Sequence, residues 1–450
     1  MVQSQRQAAS GKGVPSRENP ILGEPWEKGA IAAFVILGCG LRFLWAGDMK
    51  WAGDEQWMYD NATAVVQGQQ VFPWVGMRNG VGFANPGLSV WVFILLRGLA
   101  SDPISLVQWI QGVNVLAIAL LAVFIVRCIP KQQQHLWGWG MAIAAVNPLA
   151  IFFSRALWAQ DLLPLFSILM LVGHWFRQTR WGAFVWSLLG MLSGQVHMSG
   201  FFWFASLTIA TGWNEIRRMT RKNVPVGMQY RPVGMQYRRD VPAERLYGTD
   251  WLAWLAGIAI GLIPLLPWLL DLTVAVKAKR PSWAELLTPN FHLHWLTTGW
   301  GLNLEYIFGG VFWRSLWQEP RIAGIATGGV GLCLLMLVGL ALVSLGRWIR
   351  QWRDRHVNST LQSYFWAGGL IMPILLLVAR VRVPAHYLII LFPWLYLWVA
   401  SLWHDRPKIL TLITVLQLSL SLTYLLYVHL QGGVPGGNFG WSYQYQMRSL

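Results

Sequence analysis

Long apolar runs alternate with short polar breaks over most of the chain. Apolar runs of about 18 or more residues are typical of helices that cross a bilayer. Eleven runs are visible, several of the middle ones short, and they predict an all-α membrane protein with about 11 transmembrane helices. The predicted spans are roughly 29–47, 105–127, 136–153, 162–176, 182–197, 199–213, 251–270, 322–346, 361–379, 385–403 and 409–428.

A further apolar piece, Gly87–Ala100, follows Asn85–Pro86 and carries Arg97. At about 14 residues it is too short to cross ~30 Å of hydrocarbon. We therefore predict a helix that lies at the membrane interface. The first outer loop, 48–104, is accordingly long and carries interfacial helices.

The basic residues give the predicted spans an orientation. With the N-terminus inside and Gly87–Ala100 not spanning, the basic clusters face the cytoplasm, which is the usual bias of membrane proteins. These clusters are Arg127/Lys131, Arg177/Arg180, Arg217 through Arg245, Arg347 through Arg355, and Arg406/Lys408. The sequence thus predicts a multi-pass protein of the cytoplasmic (inner) membrane, with its candidate chemistry on the outer face.

This topology divides the chain into three parts. They are a cytoplasmic tail (1–28), a polytopic transmembrane domain (29–430) and an outer tail rich in Gly and Tyr (431–450). Within the domain, a basic cytoplasmic loop covers 214–250 and a second long outer loop covers 272–321.

The net charge of +16 by itself could indicate nucleic-acid binding. The basic residues lie in loops between apolar runs, however, as they do in membrane proteins, so we expect no nucleic-acid partner. The basic loop also contains a tandem heptapeptide, 225–231 repeated as 232–238. It indicates either a duplication in a tolerant loop or a segment that binds lipid or a partner.

The acidic pair Asp54–Glu55 lies just outside the first predicted span of a chain with 19 acidic residues in 450. Neighbouring residues on a helix point about 100° apart, so the two cannot aim into one pocket. One can act as a base while the other holds the helix or a partner. A carboxylate beside an apolar, Trp-rich surface gains basicity. The alternative is an acid pair that interacts with the helix dipole.

Asp161 follows Arg155 at a predicted outer turn between two apolar runs. Ionisable residues within apolar stretches are costly and are candidates for function. The alternative is a structural pair between Arg155 and Asp161, or an arginine that binds a lipid headgroup. If Asp161 approaches Asp54, the two carboxylates could share a divalent cation. Two acids do not define a metal site, so the need for a metal stays open.

Basic and imidazole side chains are expected on the same outer face. His197 lies at a break between two apolar runs, and Arg380, Arg382 and His386 open another. Arginine binds phosphate through two parallel hydrogen bonds, so these residues suit a phosphate-bearing substrate. The alternatives are a buried, hydrogen-bonded His197 and arginines that anchor headgroups.

Several short motifs occur in a recognisable order. They are Arg42, Trp51 and Asp54–Glu55; Asn85-Pro86-Gly87-Leu88; Asn147-Pro148; Phe153-Ser154-Arg155; Asp161; and Gly190, Gly194 and His197. In this order the chain resembles GT-C superfamily glycosyltransferases, namely the protein mannosyltransferase and aminoarabinose transferase group with its bacterial relatives. The resemblance covers about 20–200 and, more weakly, 380–393, and Gly87 replaces the second proline of the family motif.

The resemblance implies a polyprenyl-phosphate sugar donor and an inverting transfer to an acceptor hydroxyl outside the membrane. Asp54 would be the general base, with Glu55 and Asp161 as further catalytic acids. Arg155, His197, Arg380, Arg382 and His386 would bind the substrate and stabilise charge on the phosphate as its bond to the sugar breaks. The acceptor, whether glycan, lipid or protein, stays open, and family members differ in their use of metals.

Two other functions remain compatible with the residues. Acids and arginines inside a membrane also line transport paths, so a non-enzymatic transporter of lipid or solute is one alternative. Transporters usually show two comparable halves, which this sequence does not. The second alternative is another polyprenyl-linked enzyme of surface polysaccharide, which would favour arginines in two large outer loops.

Overall fold

The computed structural model describes residues 25–78, 84–220, 248–270, 281–304, 306–307, 309, 321–322, 325–326, 328–353, 359–381 and 383–449. Several predicted features lie outside the described residues. They are the tail up to residue 24, the tandem heptapeptide, most of the basic loop, parts of the second outer loop, and Arg382.

Helices make up most of the described chain. They are α1 (Pro25–Phe43), α2 (Gly53–Val66), α3 (Leu88–Arg97), α4 (Pro103–Cys128), α5 (Lys131–Val146), α6 (Pro148–Phe153), α7 (Leu163–Trp175), α8 (Arg180–Val196), α9 (Ser199–Thr220), α10 (Trp251–Leu262), α11 (Leu266–Leu270), α12 (Trp283–Leu286), α13 (Pro289–Thr297), α14 (Gly328–Arg353), α15 (Ser359–Trp366), α16 (Met372–Val378), α17 (Trp394–Leu402), α18 (Pro407–Gln431) and α19 (Tyr443–Ser449).

Short strands add to the predicted all-α architecture. In the described part of the chain they form three antiparallel pairs: β1 (Val75–Arg78) with β2 (Ala84–Pro86), β3 (Arg321–Ile322) with β4 (Ile325–Ala326), and β5 (Gly433–Val434) with β6 (Gly440–Trp441). The prediction missed them because strands of two to four residues leave no readable alternation in the sequence.

Long apolar helices make this a multi-pass membrane protein. Among the described residues, five helical segments are long and apolar enough to cross a membrane, and a sixth is bent by 80°. The five are Pro103–Cys128, Trp251–Leu270, Val330–Arg350, Leu361–Val378 and Pro407–Gln431; the bent one joins Ala385–Leu391 to Trp394–Leu402.

The remaining predicted spans are helical, but they do not meet this length and composition as membrane crossings. Helix α7 has 13 residues. At about 1.5 Å per residue it extends ~20 Å, which is less than the hydrocarbon thickness. The apolar run 136–153 is divided at Asn147 into α5 and α6. Helix α1 carries Glu27, Lys28 and Arg42. The count of eleven crossings therefore stays a prediction.

The described part of the predicted first outer loop, 48–78 and 84–104, contains helices α2 and α3. Helix α3 has 10 residues, so the prediction that it is too short to cross the membrane is confirmed. It packs on α2, where the guanidinium of Arg97 donates from Nε to Thr63 Oγ1 at 2.8 Å. Asp102 caps the start of α4: its carboxylate accepts hydrogen bonds from the backbone N–H groups of Ile104 and Ser105. Such a cap fixes where the loop ends.

Close packing of α1 on α5 places the end of α1 at the site. Gly38 lies against Ala145, and a Cβ there would come within 2.3 Å of the Ala145 carbonyl oxygen. Glycine is therefore required by the approach of the two backbones. Arg42, one turn later, is buried and donates from Nη1 to the same carbonyl at 2.6 Å.

A buried amide network joins α6, α18 and the turn that follows α13. Asn147 Nδ2 donates to Gln417 Oε1 at 3.0 Å and to the carbonyl of Thr298 at 3.1 Å. Gln417 Nε2 in turn donates to the carbonyl of Gly299 at 3.0 Å. The turn that follows α13 is thereby fixed to α6 and α18, since buried polar groups keep their partners.

Candidate functional site

Arg155 fixes the connector between α1 and α2, residues 44–52. Its guanidinium donates to the carbonyls of Arg42 at 3.0 Å, Leu44 at 2.5 Å and Trp45 at 2.6 Å. The last carbonyls of a helix lack partners within the helix, and a cation is favourable there. Arg155 is 1% exposed, and both terminal nitrogens are in use. The prediction that it binds substrate is therefore corrected: it caps α1.

Glu55 holds the start of α2. It is buried, its Oε1 lies 2.9 Å from the Lys50 ammonium, and its Oε2 accepts the backbone N–H of Ala52 at 3.1 Å. Burial raises the pKa of this carboxyl, and the Lys50 ammonium opposes that shift. Both carboxylate oxygens are engaged, so Glu55 anchors Lys50 and the N-terminal end of α2. The predicted direct catalytic role does not fit this geometry.

Asp54 is the exposed member of the acidic pair. It lies in the first turn of α2, beside Glu55 but on another side of the helix. The division between one accessible acid and one holding acid agrees with the spacing argument from the sequence. Asp54 is therefore the carboxylate of the pair that a substrate can reach.

Asp161 lies in a 3₁₀ turn, Ala159–Leu162, and is completely buried. Its backbone carbonyl accepts Nδ2 of Asn114 at 2.9 Å, but neither carboxyl oxygen has a hydrogen-bond partner among the described residues. Burial raises the pKa of Asp161 well above its usual value, and the negative charge of Glu55 raises it further. An unpartnered, dry carboxyl next to another acid favours the protonated form.

Lys50 joins these acids to an aromatic wall. Its ammonium lies 4.1 Å from the centroid of the Trp158 ring, a favourable arrangement of a cation on an aromatic face. Trp158 in turn contacts the ring of His386, with centroids 5.9 Å apart. The imidazole of His386 lies 2.9 Å, through Nδ1, from the hydroxyl of Tyr306.

Tyr306 lies within electrostatic reach of all three carboxyls. Burial raises the pKa of its hydroxyl, and Asp161, Glu55 and Asp54 each add to that shift. The acids therefore approach this tyrosine together, although they come from segments separated by about 100 to 250 residues.

His197 completes the group at the break between α8 and α9. Its ring centroid lies 5.7 Å from that of His386. The backbone N–H of Ser199 donates to Nδ1 of His197 at 3.4 Å. The Ser199 hydroxyl lies closer to the same nitrogen, at 2.8 Å, so Ser199 fixes the orientation of the ring through Nδ1. We call Lys50, Glu55, Trp158, Asp161, His197, Tyr306 and His386 the acid–histidine cluster.

Arg380 contacts the segment that leads into α12. It donates to the carbonyl of Pro281 at 2.7 Å, and its guanidinium lies 5.3 Å from the centroid of the Trp283 ring. Its backbone is left-handed, with φ of 57°. These contacts of Arg380 hold the segment before α12, and its role in phosphate binding stays a prediction.

Sequence reasoning missed Lys50, Trp158 and Tyr306. Lys50 offered a signal, since it is a basic residue on the predicted outer side, five positions before Glu55. Tyr306 offered none, because its role depends on contacts with residues far away in the chain.

A shared metal finds no support in the described residues. They contain no group of three or more His, Cys, Asp or Glu side chains that could hold a metal ion. Asp54 is exposed and Asp161 is buried, and the Lys50 ammonium already neutralises Glu55. The cation that the geometry supplies to these acids is Lys50.

Comparisons of the chain with protein-family models, with curated proteins and with solved structures give no match. The function is therefore argued from the residues of the acid–histidine cluster and from Asp54.

Proposed function

We propose that this protein is a membrane glycosyltransferase. It moves a sugar from a polyprenyl-phosphate donor to an acceptor hydroxyl, with inversion, on the outer side of the cytoplasmic membrane. One observation carries the proposal: the accessible carboxylate of Asp54 adjoins Glu55 and lies within electrostatic range of Tyr306, and both are members of the acid–histidine cluster. General-base chemistry and stabilisation of a leaving phosphate need a carboxylate and cationic or imidazole donors side by side.

Asp54 acts as the general base. It accepts the proton of the acceptor hydroxyl as that oxygen attacks C1 of the sugar from the face opposite the phosphate. The bond between C1 and the phosphate oxygen breaks, and its electron pair leaves with the polyprenyl phosphate. Attack from the opposite face inverts the configuration at C1, so no covalent intermediate with the protein is required.

The negative charge that develops on the leaving phosphate requires donors that are already in place. Lys50 supplies a fixed positive charge, and its position between Glu55 and Trp158 is set before substrate binds. His197 contributes a second imidazole beside that of His386, and the hydroxyl of Tyr306 contacts the His386 ring. Donors arranged in advance in a dry site lower the barrier without reorganising.

The surroundings of the cluster suit a lipid-linked donor. The first outer loop exposes apolar side chains next to α3, among them Phe72, Trp74 and Leu95. Aromatic side chains of this kind are enriched where protein meets the headgroup region. The predicted orientation, with the basic clusters in the cytoplasm, supports an outer position for the acid–histidine cluster.

The test compares Asp54→Asn with Asp54→Glu in membranes supplied with labelled sugar on polyprenyl phosphate. Asn is close in shape but cannot accept the proton, so transfer should fall by roughly 10²–10⁴-fold. Asp54→Glu keeps the carboxylate and should retain much more of the transfer. Because Asp54 is exposed, neither variant should unfold the protein.

Equal transfer by the wild type and Asp54→Asn would remove Asp54 as the base. Failure of the wild type to transfer sugar from any native polyprenyl-phosphate donor would overturn the proposed function as a whole. In that case, uptake or flipping of the labelled lipid would be measured next, since intramembrane charges also serve transport.

A further inference from the structure

The segment Gly433–Ser449, which follows α18, folds back over the site. It forms the β5–β6 pair and then α19, whose first turn is capped by Ser442: its Oγ accepts the backbone N–H of Tyr445 at 3.3 Å. The sequence predicted an outer tail here. In the structure the segment forms a β-hairpin and a helix, and we call it the strap.

One side of the strap binds the connector that carries Lys50. The backbone N–H of Tyr443 donates to the carbonyl of Met49 at 3.0 Å, and Gln446 Nε2 donates to the carbonyl of Trp51 at 2.6 Å. The rings of Trp51 and Tyr443 meet edge to face, with centroids 5.0 Å apart. The two residues that flank Lys50 are therefore both held by the strap.

Lys50 itself pairs with the strap through its backbone, as an antiparallel bridge with Ser442. Its side chain points the other way, to Glu55 and Trp158. The strap thus fixes the main chain from which the ammonium extends. The side chain alone could not do this, since a lysine side chain has several rotatable bonds.

The other side of the strap binds the segment that carries Tyr306. Asn438 Nδ2 donates to the backbone carbonyl of Tyr306 at 2.8 Å. The backbone N–H of Phe439 donates to the backbone carbonyl of Ile307 at 3.3 Å. Phe439 is 1% exposed and packs against Phe152. One short segment therefore contacts two parts of the site that are about 250 residues apart in sequence.

We propose that the strap is the positioning element of the site, and that Tyr443 and Gln446 are positioning residues that set Lys50 against the leaving phosphate. The role in transfer rests on the proposed function, whereas the control of Lys50 does not. A misplacement of a catalytic group by about 1 Å can lower the reaction rate by about 10²-fold. A residue that does not touch the substrate can therefore control the rate by positioning Lys50.

The test measures how accessible the Lys50 amine is to a chemical label. The full-length protein in lipid nanodiscs is treated with an isotopically coded acetylating reagent, and labelling of each lysine is followed by mass spectrometry. Lys50 is buried and should react slowly, with the exposed Lys131 as internal reference. Release of the connector should expose the amine and speed its labelling.

Two matched pairs of variants isolate the contacts. Tyr443→Pro and Tyr443→Ala both lose the ring, but the proline also removes the N–H that binds Met49. Proline is tolerated at the first position of a helix, so α19 should persist. Gln446→Ala removes the contact with Trp51, and Met447→Ala, at an exposed position of the same helix, is its control.

We expect Tyr443→Pro to raise the labelling rate of Lys50 by about fivefold over Tyr443→Ala. A factor of this size corresponds to the net free energy of roughly one hydrogen bond. Gln446→Ala should do the same relative to Met447→Ala. Tyr443→Phe, which keeps the ring and the N–H, should match the wild type. Transfer should fall through kcat in the variants that release Lys50, with donor KM nearly unchanged.

Unchanged labelling in both Tyr443→Pro and Gln446→Ala would overturn the proposal, whatever the transfer assay gives. Raised labelling with wild-type transfer would also overturn it, because Lys50 would then need no positioning. Raised labelling in a protein that never transfers sugar would keep the strap as the element that sets Lys50 and reject the proposed function. If Tyr443→Pro lowers the yield of folded protein, Gln446→Ala decides the outcome.

Discussion

The ammonium of Lys50 lies 2.9 Å from Oε1 of Glu55, and both side chains are buried. Each charge makes the burial of the other tolerable, because a lone buried charge is far more costly than a pair. The two members of the acidic pair thus differ: Glu55 belongs to a buried ion pair, and Asp54 is an exposed carboxylate.

Glu55→Gln should therefore be strongly destabilising. Gln keeps the shape and an acceptor for the N–H of Ala52, but leaves the ammonium of Lys50 buried without a counter-charge. We expect a loss of about 3–5 kcal/mol, measured by denaturant unfolding in detergent. Asp54→Asn, one residue earlier and exposed, is the control and should change stability little.

The double variant Lys50→Met, Glu55→Gln should be less destabilised than Glu55→Gln alone. It removes both charges, so none is left unpaired in a dry place. A double variant that is as unstable as the sum of the single variants would show that the pair is not coupled.

Asp161 should make stability depend on pH. Its pKa is raised by burial and by Glu55, so the folded protein binds the proton more tightly than the unfolded chain. The resulting stability is fully present below the unfolded pKa, near 3.8, and is lost as pH rises through the higher folded pKa. Asp161→Asn stays neutral, so it should lack this loss.

The measurement is the melting temperature of wild type and Asp161→Asn from pH 4 to pH 9. The difference between the two should grow in favour of the variant as pH rises. Parallel curves over the whole range would show that the Asp161 carboxyl is not protonated in the folded protein.

Arg155→Lys should test the capping role. Lysine keeps the charge but cannot present a planar fork to three carbonyls, so the end of α1 loses contacts. We expect a destabilisation of about 2–4 kcal/mol, since hydrogen bonds from charged groups contribute ~1.5–3 kcal/mol each and are not additive. Donor KM of the folded fraction should not change; a large rise in KM with normal stability would restore the phosphate-binding role.

His429 should couple the end of α18 to the connector. Its ring stacks on Trp45, with centroids 4.1 Å apart, and its Nδ1 lies 2.7 Å from Asp48 Oδ2. His429→Phe keeps the stacking and loses the polar contact, so a cost of about 1–3 kcal/mol is expected. Asp48→Asn combined with His429→Phe should cost less than the sum of the two, as a double-mutant cycle would measure. Strict additivity would show that the two side chains do not interact.

The sequence was most informative where the physical cause is local. Long apolar runs must satisfy their backbone internally in a membrane, so α4, α14 and α18 could be predicted from composition alone. That the two acids of the pair have different roles also followed from the sequence, because adjacent helical residues cannot share a pocket, but the sequence did not show that Glu55 is the one that anchors the helix.

Other features depend on contacts that no local pattern encodes. Arg155 offers the same donors to a helix end as to a phosphate, so residue type could not separate the two roles. Tyr306 and the strap contribute through contacts across about 130 to 390 residues, which a single sequence does not reveal. Short helices such as α7 also left the number of crossings open, because their length falls below that of a plain span.

The amide network of Asn147, Gln417 and Gly299 limits which sequence changes this protein can accept during evolution. Sliding α18 by one residue would rotate Gln417 by about 100° about the helix axis. Both of its amide contacts would break in a medium that offers no replacement. The register of α18 against α6 and the turn after α13 is therefore fixed, and sequence changes are expected to accumulate in the segments that connect the helices.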